Sequence, residues 1–585
     1  LPIQSVSRRP ELTINRPATR WEFRTADPAA QRRIEKEVGL PPLVARILTA
    51  RGFDDPEQAR RFLQPRLSQL HDPFGLKGME AAVERVARAL GDGEAIQVYG
   101  DYDVDGITGT AILMLTLREL GAAAVDYYIP NRLTEGYGIN TTAIDLLAAE
   151  GARLIISVDC GIRAVAEAEH ARGLGVDLII TDHHEPGPEL PDAVALINPK
   201  QPGCDYPFKG LAGTGVAFKL AHGVLKRCHP DPAAARAFLT SLIDLVTLGT
   251  VADVVPLRDE NRSLVAHGLG MLRATERPGL RQLLAVAEYQ PRKVDAGSIG
   301  FVLGPRLNAA GRTEHALHGV ELLLSDDESH ARDLASKLDG LNTRRREIEK
   351  QILDEALALI EEQGAGKVIV VAQDEWHHGV LGIVAARILG LFYRPTIVLG
   401  VSEGKAKGSG RSIAGFDLHE ALLRCDDYLE QYGGHAMAAG MSLDPDRIDA
   451  FRAAINAHAD DVLDEATLRP LVMIDAPAEP SDLTEAGIGA LAALAPHGQD
   501  NPKPIVALEG YTLIEPPRVL KERHLKLKLV APDGRPLTAL AWGMADRHGE
   551  LNGHGQQLRL AGTPFVNEWN GRRTVELELV DFKLD

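Results

Sequence analysis

A chain of 585 residues holds about four domains at ~150 residues each, and its 45% hydrophobic and 25% charged residues exclude a disordered or fibrous polymer. With 64 basic and 82 acidic side chains the net charge is −18, which argues against a protein that coats a polyanion. A nucleic-acid enzyme stays open, because a groove can be locally positive or carry metal ions.

In chain order, the first residues, LPIQSVSRRPEL, hold no apolar segment of a secretory signal and no initiating methionine, so a trimmed N-terminus without a signal is expected. Residues 1–75 are rich in Arg and Pro and helical in pattern (LVARILTARG, PEQARRFL), predicting a helical cap on the neighbouring α/β lobe. Residues 76–327 alternate apolar runs with helical stretches. Strands are predicted at AIQVYG (95–100), AVDYYIP (124–130), LIISVDCG (154–161), DLIITDHH (177–184) and AVALINP (193–199). Such alternation specifies a parallel sheet covered on both faces.

Residues 328–363 read as one long helix, with Leu334, Leu338, Leu341, Ile348, Ile352 and Leu353 on one face. Arg344, Arg345 and Arg346 fall mostly on the other, and Gly340 is a place for a bend. A second α/β lobe occupies 364–468, and beyond it period-two alternation (HLKLKLV, QLRLAG, RTVELELVDF) predicts a small β-barrel over 469–585. The predicted fold class is α/β: two parallel-sheet-rich lobes joined by a long helix, plus a C-terminal barrel. No uninterrupted apolar run reaches the ~18 residues of a bilayer span. Cys160, Cys204, Cys228 and Cys425 are too widely spaced for a disulfide framework or a CxxC zinc site, which suits a reducing cytoplasm.

Acids and histidines stand at the ends of three predicted strands: Asp101, Asp103 and Asp105 after the first, Asp159 after 154–158, and Asp182-His183-His184 after 177–181. In an open parallel sheet those ends converge on one crevice, and mixed Asp/His ligation suits Mn2+ or Mg2+. The apolar helix SLIDLVTLGTVADVVPL adds Asp253 from its end. Taken alone, DxDxDG is a turn or a calcium loop, and DHH a surface loop. The calcium loop fails, because its twelfth position would be Ile112 where a bidentate Glu is needed.

DYDVDG, VDCG, TDHH and GTVADVVPL resemble motifs I to IV of the DHH phosphoesterase superfamily, and GGHAMAAG (433–440) is similar to the GGHxxAAG signature of its DHHA1 domain. With GPRLNAAGR (304–312), residues 75–585 resemble the bacterial single-strand-specific 5′→3′ exonucleases of that superfamily. One departure is PHGQDNPKP (496–504), with His497 and Asp500 where the family pattern PFGxGNPxP has Phe and Gly. The resemblance implies two divalent ions, Mn2+ or Mg2+, held by Asp103, Asp105, Asp159, His183 and Asp253, with Asp159 bridging. It further implies Asp101 as a ligand or its neighbour, Asp182 as orienting His183, and His184 as facing the scissile phosphate. Two metals would supply the hydroxide and the charge neutralisation that phosphodiester hydrolysis needs.

Gly408-Ser409-Gly410-Arg411-Ser412 and Gly433-Gly434-His435 read as a phosphate clamp of exposed N–H groups with Arg, Ser and His donors; otherwise they are a flexible loop and a helix stop. Arg306, Asn308 and Arg312 form a second donor group by resemblance, and Arg132 belongs at the sheet's ligand edge. The barrel resembles an OB fold, with Lys521, Arg523, His524, Lys526 and Lys528 as a basic stripe along one strand, and Trp542 and Trp569 either stacking on bases or filling the core. The lysines otherwise protect an exposed edge.

The activity implied is 5′→3′ degradation of single-stranded DNA to mononucleotides in recombination and repair, by a cytoplasmic monomer. Single-strand-binding protein and a RecQ-type helicase are the implied partners. The alternatives are a phosphodiesterase for oligoribonucleotides, cyclic dinucleotides or pyrophosphate, and a non-catalytic scaffold. The scaffold predicts substituted acids in motifs I to IV, where all are present.

Overall fold

A computed structural model describes residues 17–132, 134–551, 553 and 555–584, with Thr313 described for its backbone alone. The stretch LPIQSVSRRPEL lies outside the described residues. The described residues form two compact units, one built on residues 23–343 with 474–584, the other on residues 17–22 with 344–473.

Five parallel strands run through the larger unit in the spatial order Ala124–Tyr128, Ala95–Gly100, Leu154–Val158, Asp177–Thr181 and Ala195–Ile197. Alternate residues feed two cores, as period two demands. Val98, Ile156 and Ile179 enter one with helix Val104–Glu119, while Tyr99, Ile155 and Ile180 enter the other with Ile144 and Leu147. Helices Val104–Glu119 and Gly213–Cys228 approach closely at Gly109, where a Cβ would stand 3.3 Å from Thr214 Cα and 3.4 Å from Ala217 Cβ.

The segment Pro232–Ala252 is long and apolar enough to cross a membrane by length and composition. It is instead two helices meeting at Leu242, with Ile243, Leu245, Val246 and Leu248 buried in the sheet's core. That is the pattern of a core helix.

The N-terminal helices Pro28–Ile34, Pro42–Ala50 and Pro56–Leu63 do not take the adjoining sheet domain as their core partner. Ile34, Leu43, Ile47, Leu48 and Phe62 share one core with Leu508, Leu525 and Leu560 of the barrel. The barrel strands run Val506–Leu513, Gln557–Trp569, Arg572–Leu584, Pro536–Ala541, His524–Val530, and the last pairs back on the first.

The smaller unit has a five-stranded sheet ordered Gln431–His435, Ala438–Leu443, Lys405–Arg411, Thr396–Ser402, Ile369–Asp374. The last two are parallel and the other pairings antiparallel. Helix Glu328–Gln363 is continuous through Gly340. Its Leu334, Leu338 and Leu341 are buried in the larger unit, and its Ile352 and Ile360 in the smaller one. Arg345 turns inward to Glu349 at 3.0 Å, away from the outer face expected of it.

Candidate metal centre

The sheet order places the first-in-sequence strand, 95–100, between the second and the third, so connections leave it in opposite directions. That switch point opens a crevice at the C-terminal strand ends. Asp103 is the N-cap of helix Val104–Glu119, its Oδ1 accepting the N–H groups of Asp105 and Gly106 at 2.8 and 3.2 Å. Asp105 is buried and accepts the N–H groups of Gly213 and Thr214 at 2.6 and 2.8 Å, the first turn of helix Gly213–Cys228. Asp159 sits at φ 63°, a left-handed conformation that Asp tolerates better than most residues. Its side chain lies against Gly213, where a Cβ would stand 2.6 Å away.

Asp182 corrects one expectation. Its Oδ1 accepts from Nδ1 of His184 at 2.8 Å and from the backbone N–H of His183 and His184, and its Oδ2 from Ile162 N–H at 2.9 Å. The ring it orients is therefore that of His184. The His183 ring bonds the Leu211 carbonyl instead, which leaves Nε2 facing the acids. Tyr137 donates its hydroxyl to the Asp159 carbonyl at 3.1 Å and stands 3.1 Å from Nδ1 of His184.

Four polar atoms meet here without hydrogen-bond partners: Asp101 Oδ1, Asp159 Oδ1, Asp253 Oδ2 and His183 Nε2, all buried. Nε2 lies 3.1 Å from Asp159, 3.5 Å from Asp253 and 3.8 Å from Asp105. Potential ligand atoms gather within 4.8 Å as Asp105–His183–Asp253, as Asp101–Asp103–Asp159 and as Asp159–His183–His184. Burial, then the charge of Asp103, pushes Asp105 up to about 7, and burial, then the charge of Asp105, pushes Asp253 up to about 9. The same causes raise Asp159, and burial with the Asp103 charge raises Asp101. Burial holds His183 down at about 3, so its ring is neutral and no ion pair forms. Buried unpaired acceptors cost several kcal/mol together unless a cation satisfies them. The 3.1 Å approach suits neighbouring ligands of an octahedral divalent ion, which lie ~3.0 Å apart at ~2.1 Å ligand distances. The residues present fit a divalent metal.

Burial opposes charge on both Asp182 and His184, but their mutual hydrogen bond wins, lowering the acid and raising the imidazole. The Asp182 contact thus favours the protonated form of the His184 ring, whose side chain is 39% exposed. Arg132 lies 4.9 Å over the Tyr102 ring beside Asp101. Arg306 has two donors committed, to Asp339 at 2.8 Å and to the Val302 carbonyl at 2.7 Å. Asn308 accepts from Val104 N–H at 3.0 Å, so it clips the motif I helix. Arg312 lies near Tyr102 on the same helix, Gly304–Thr313. Tyr137, Leu211 and Gly213-Thr214 are site residues beyond those expected from the sequence; the last carry a signal there, LAGTG opening an apolar helix.

In the smaller unit the glycine-rich stretch is a strand and not a loop, which is a correction. Residues 405–411 pair on both sides, so their N–H groups serve the ladders. Gly408 and Gly410 face the core, where Cβ atoms would strike Leu399 at 2.5 Å and Leu418 at 2.7 Å. Ser409 and Arg411 face the other way, and the register puts Arg411, Ala438 and His435 in one row and Ser409, Gly440 and Gly433 in the next. The glycines leave a flat shelf, with the first turn of helix Leu381–Phe392 beside it: a Cβ on Gly382 would stand 2.7 Å from Arg411 and 3.0 Å from Ser409. Gly434, at φ 143°, can only be glycine, since a Cβ would lie 2.4 Å from the Ala438 carbonyl. Ser412 is buried and donates to the Phe416 carbonyl at 2.7 Å, so it is no phosphate donor.

On the barrel, Lys526 and Lys528 alternate with buried Leu525, Leu527 and Leu529 on strand His524–Val530. Lys521 and Arg523 precede that strand, in the turn after strand Arg518–Leu520. The strand pairs on both sides, so the exposed-edge reading fails. Trp542 and Trp569 are 53% and 72% exposed, so neither fills the core.

Fold and site together define a DHH-type phosphoesterase. Residues 95–250 match the DHH family N-terminal domain, residues 365–460 the DHHA1 domain and residues 474–581 the RecJ OB domain. The chain is 43% identical to the single-stranded-DNA-specific exonuclease RecJ of Bacillus subtilis, covering 96% of this chain and 70% of that one. It is 40% identical to RecJ of Escherichia coli, covering 92% and 95%. The crystal structure of Thermus thermophilus RecJ in complex with Mn2+ superposes with TM-score 0.82 at 34% identity, covering 96% of this chain and 79% of that one; the Mg2+ complex gives 0.75. The chain belongs to the RecJ family of single-stranded-DNA-specific exonucleases.

Proposed function

We infer that the protein is a divalent-metal-dependent exonuclease that hydrolyses single-stranded DNA. The observation that carries this reading is the convergence of unpartnered Asp101, Asp159, Asp253 and His183 atoms at the switch point. Asp103, Asp105, Asp159, His183 and Asp253 would hold two ions, Mn2+ or Mg2+, with Asp159 shared and Asp101 beside it. Bound there, divalent ions supply Lewis-acid neutralisation of the phosphoryl group and activation of the attacking water.

The protein's own groups then have distinct tasks. Asp182 and Tyr137 fix His184, whose Nε2–H donates to the scissile phosphate. Arg132 faces the same charge. Ser409, Arg411, Gly434 and His435 form a shelf for the strand's terminal phosphate, and Arg306, Asn308 and Arg312 border the metal centre. Lys521, Arg523, Lys526 and Lys528 grip the strand, and Trp542 and Trp569 stack on bases.

This reading extends to 5′→3′ polarity, mononucleotide products, a cytoplasmic monomer in recombination and repair, and the two partners expected above. It keeps the division at 75, 327, 363 and 468 as domain limits. Comparing turnover of a long single strand, the matching duplex and a dinucleotide with Mn2+ tests it. Preference for the long single strand is expected, and equal or faster turnover of the dinucleotide refutes it.

A further inference from the structure

Four residues after Asp253 the chain is clamped by a loop from the root of the barrel. Asp253 ends helix Ile243–Ala252, and Val254 comes next at φ 61°, a region β-branched residues avoid. Three residues later the Leu257 N–H donates to the Gln499 carbonyl at 2.9 Å, and the Arg258 guanidinium reaches the Asp500 carbonyl at 3.3 Å. Leu257 is buried against Gly498, where a Cβ would stand 2.7 Å from its Cδ1.

The loop is itself held rigid. Gly498 and Asn501 exchange backbone hydrogen bonds at 3.0 and 3.1 Å. Asn501, 1% exposed, donates to the Leu494 and Pro496 carbonyls at 2.8 Å each and accepts from Arg51 at 2.7 Å. Arg262 is buried too, and donates only to carbonyls among its described hydrogen bonds: those of Phe62, Ala493, Leu494, Ala495 and Pro496. Its neighbour Asn261 ties the carbonyls of Pro256 and Gly210 at 3.0 and 2.6 Å. Gly210 adjoins Leu211, whose carbonyl holds the His183 ring. One helix, Asp259–Arg273, thus joins the barrel root to both loops that flank the acids. Burying a guanidinium without a carboxylate is costly, which indicates a contact that must not slip.

We propose that the loop Pro496–Asn501 is a positioning element of the metal centre, setting Asp253 through Pro256–Arg258. Gly498, Gln499 and Asn501 are positioning residues in this account, which rests on Asp253 being a metal ligand. Groups that orient ligands typically change metal affinity ~10–100-fold when altered.

The test is Mn2+ titration, read by the electron-paramagnetic signal of free Mn2+, on the whole chain and on Gly498→Ala, Gly498→Val, Leu257→Ala and Gly498→Val with Leu257→Ala. Circular dichroism checks folding, and the milder alanine variant keeps the measurement available if the valine variant does not fold. The Gly498 variants should bind Mn2+ about tenfold more weakly or worse, in order of side-chain size. Their kcat on short oligomers should fall with KM unchanged. Leu257→Ala should relieve the collision and restore most of the affinity of the valine variant. Wild-type affinity in folded Gly498 variants, or a loss that Leu257→Ala leaves untouched, overturns the proposal. A wild-type chain that binds no Mn2+ refutes the metal reading instead.

Discussion

The Nε2 nitrogen of His183 stands 3.1 Å from Oδ1 of Asp159, yet neither atom has a hydrogen-bond partner. A neutral imidazole nitrogen and a carboxyl oxygen held this close in a buried place, neither with a partner, form an arrangement that a cation satisfies. Asp159→Asn keeps a side chain that tolerates the left-handed backbone and removes its charge. Activity should fall at least ~10³-fold, as for other electrostatic catalytic groups. Without metal the variant should melt no lower than the wild type, since one of the crowded acids is gone. Mn2+ at 100 times its Kd should stabilise the wild type by about 2.7 kcal/mol and the variant far less. A wild-type-like Mn2+ shift in the variant removes Asp159 from the ligand set.

His184 is expected to act on the phosphate. Its Nδ1 is committed to Asp182, which leaves Nε2 for substrate. His184→Ala should slow turnover by about 10²- to 10⁴-fold, the range of general acid groups, with Mn2+ affinity kept. Tyr137→Phe should cost less, because it removes a brace and not the donor. A large loss of Mn2+ affinity in His184→Ala would make His184 a ligand.

Arg411 and Ser412 are neighbours with opposite expectations. Arg411→Ala should lower the preference for strands with a 5′ phosphate, with little effect on strands lacking it. Ser412→Ala should leave that preference intact and destabilise the fold by about 1 kcal/mol through its lost buried hydrogen bond. Additive losses, from Arg411→Ala and from removal of the phosphate, would place Arg411 elsewhere along the strand.

The barrel should act as a grip. Replacing Lys521, Arg523, Lys526 and Lys528 by Ala should flatten the log–log salt slope of binding by up to about 3 units. Lys528, tied to Thr538 at 2.9 Å, should contribute least. Trp542→Ala or Trp569→Ala should weaken long-strand binding by about 1–3 kcal/mol if the ring stacks on a base. Unchanged slopes and KM would return this face to a structural role.

The metal centre was legible because a parallel sheet turns sequence-distant strand ends into one place, so DYDVDG, VDCG and TDHH could be assembled from strand prediction alone. What stayed hidden were contacts that no local pattern encodes. Helices of the first 63 residues find their core in the barrel, because an amphipathic face states that it is buried and not against what. GSGRS reads as a clamp of exposed N–H groups, or else a loop, since glycine is rare in strands, but here alternate glycines make room for Leu399 and Leu418 within a paired strand. The partner of Asp182 depended on one ring rotation. Tyr137 lay in a turn whose path brings its hydroxyl to the Asp159 carbonyl, which spacing does not reveal.

Metal-dependent digestion from the 5′ end is tested by a single strand labelled at its 5′ or its 3′ end and digested with Mn2+ and with EDTA. The 5′ label should be released at once as a mononucleotide, the 3′-labelled strand should shorten through a ladder, and EDTA should stop both. Digestion that continues in EDTA, or a ladder from the 5′-labelled strand with immediate release of the 3′ label, would contradict metal-dependent digestion from the 5′ end.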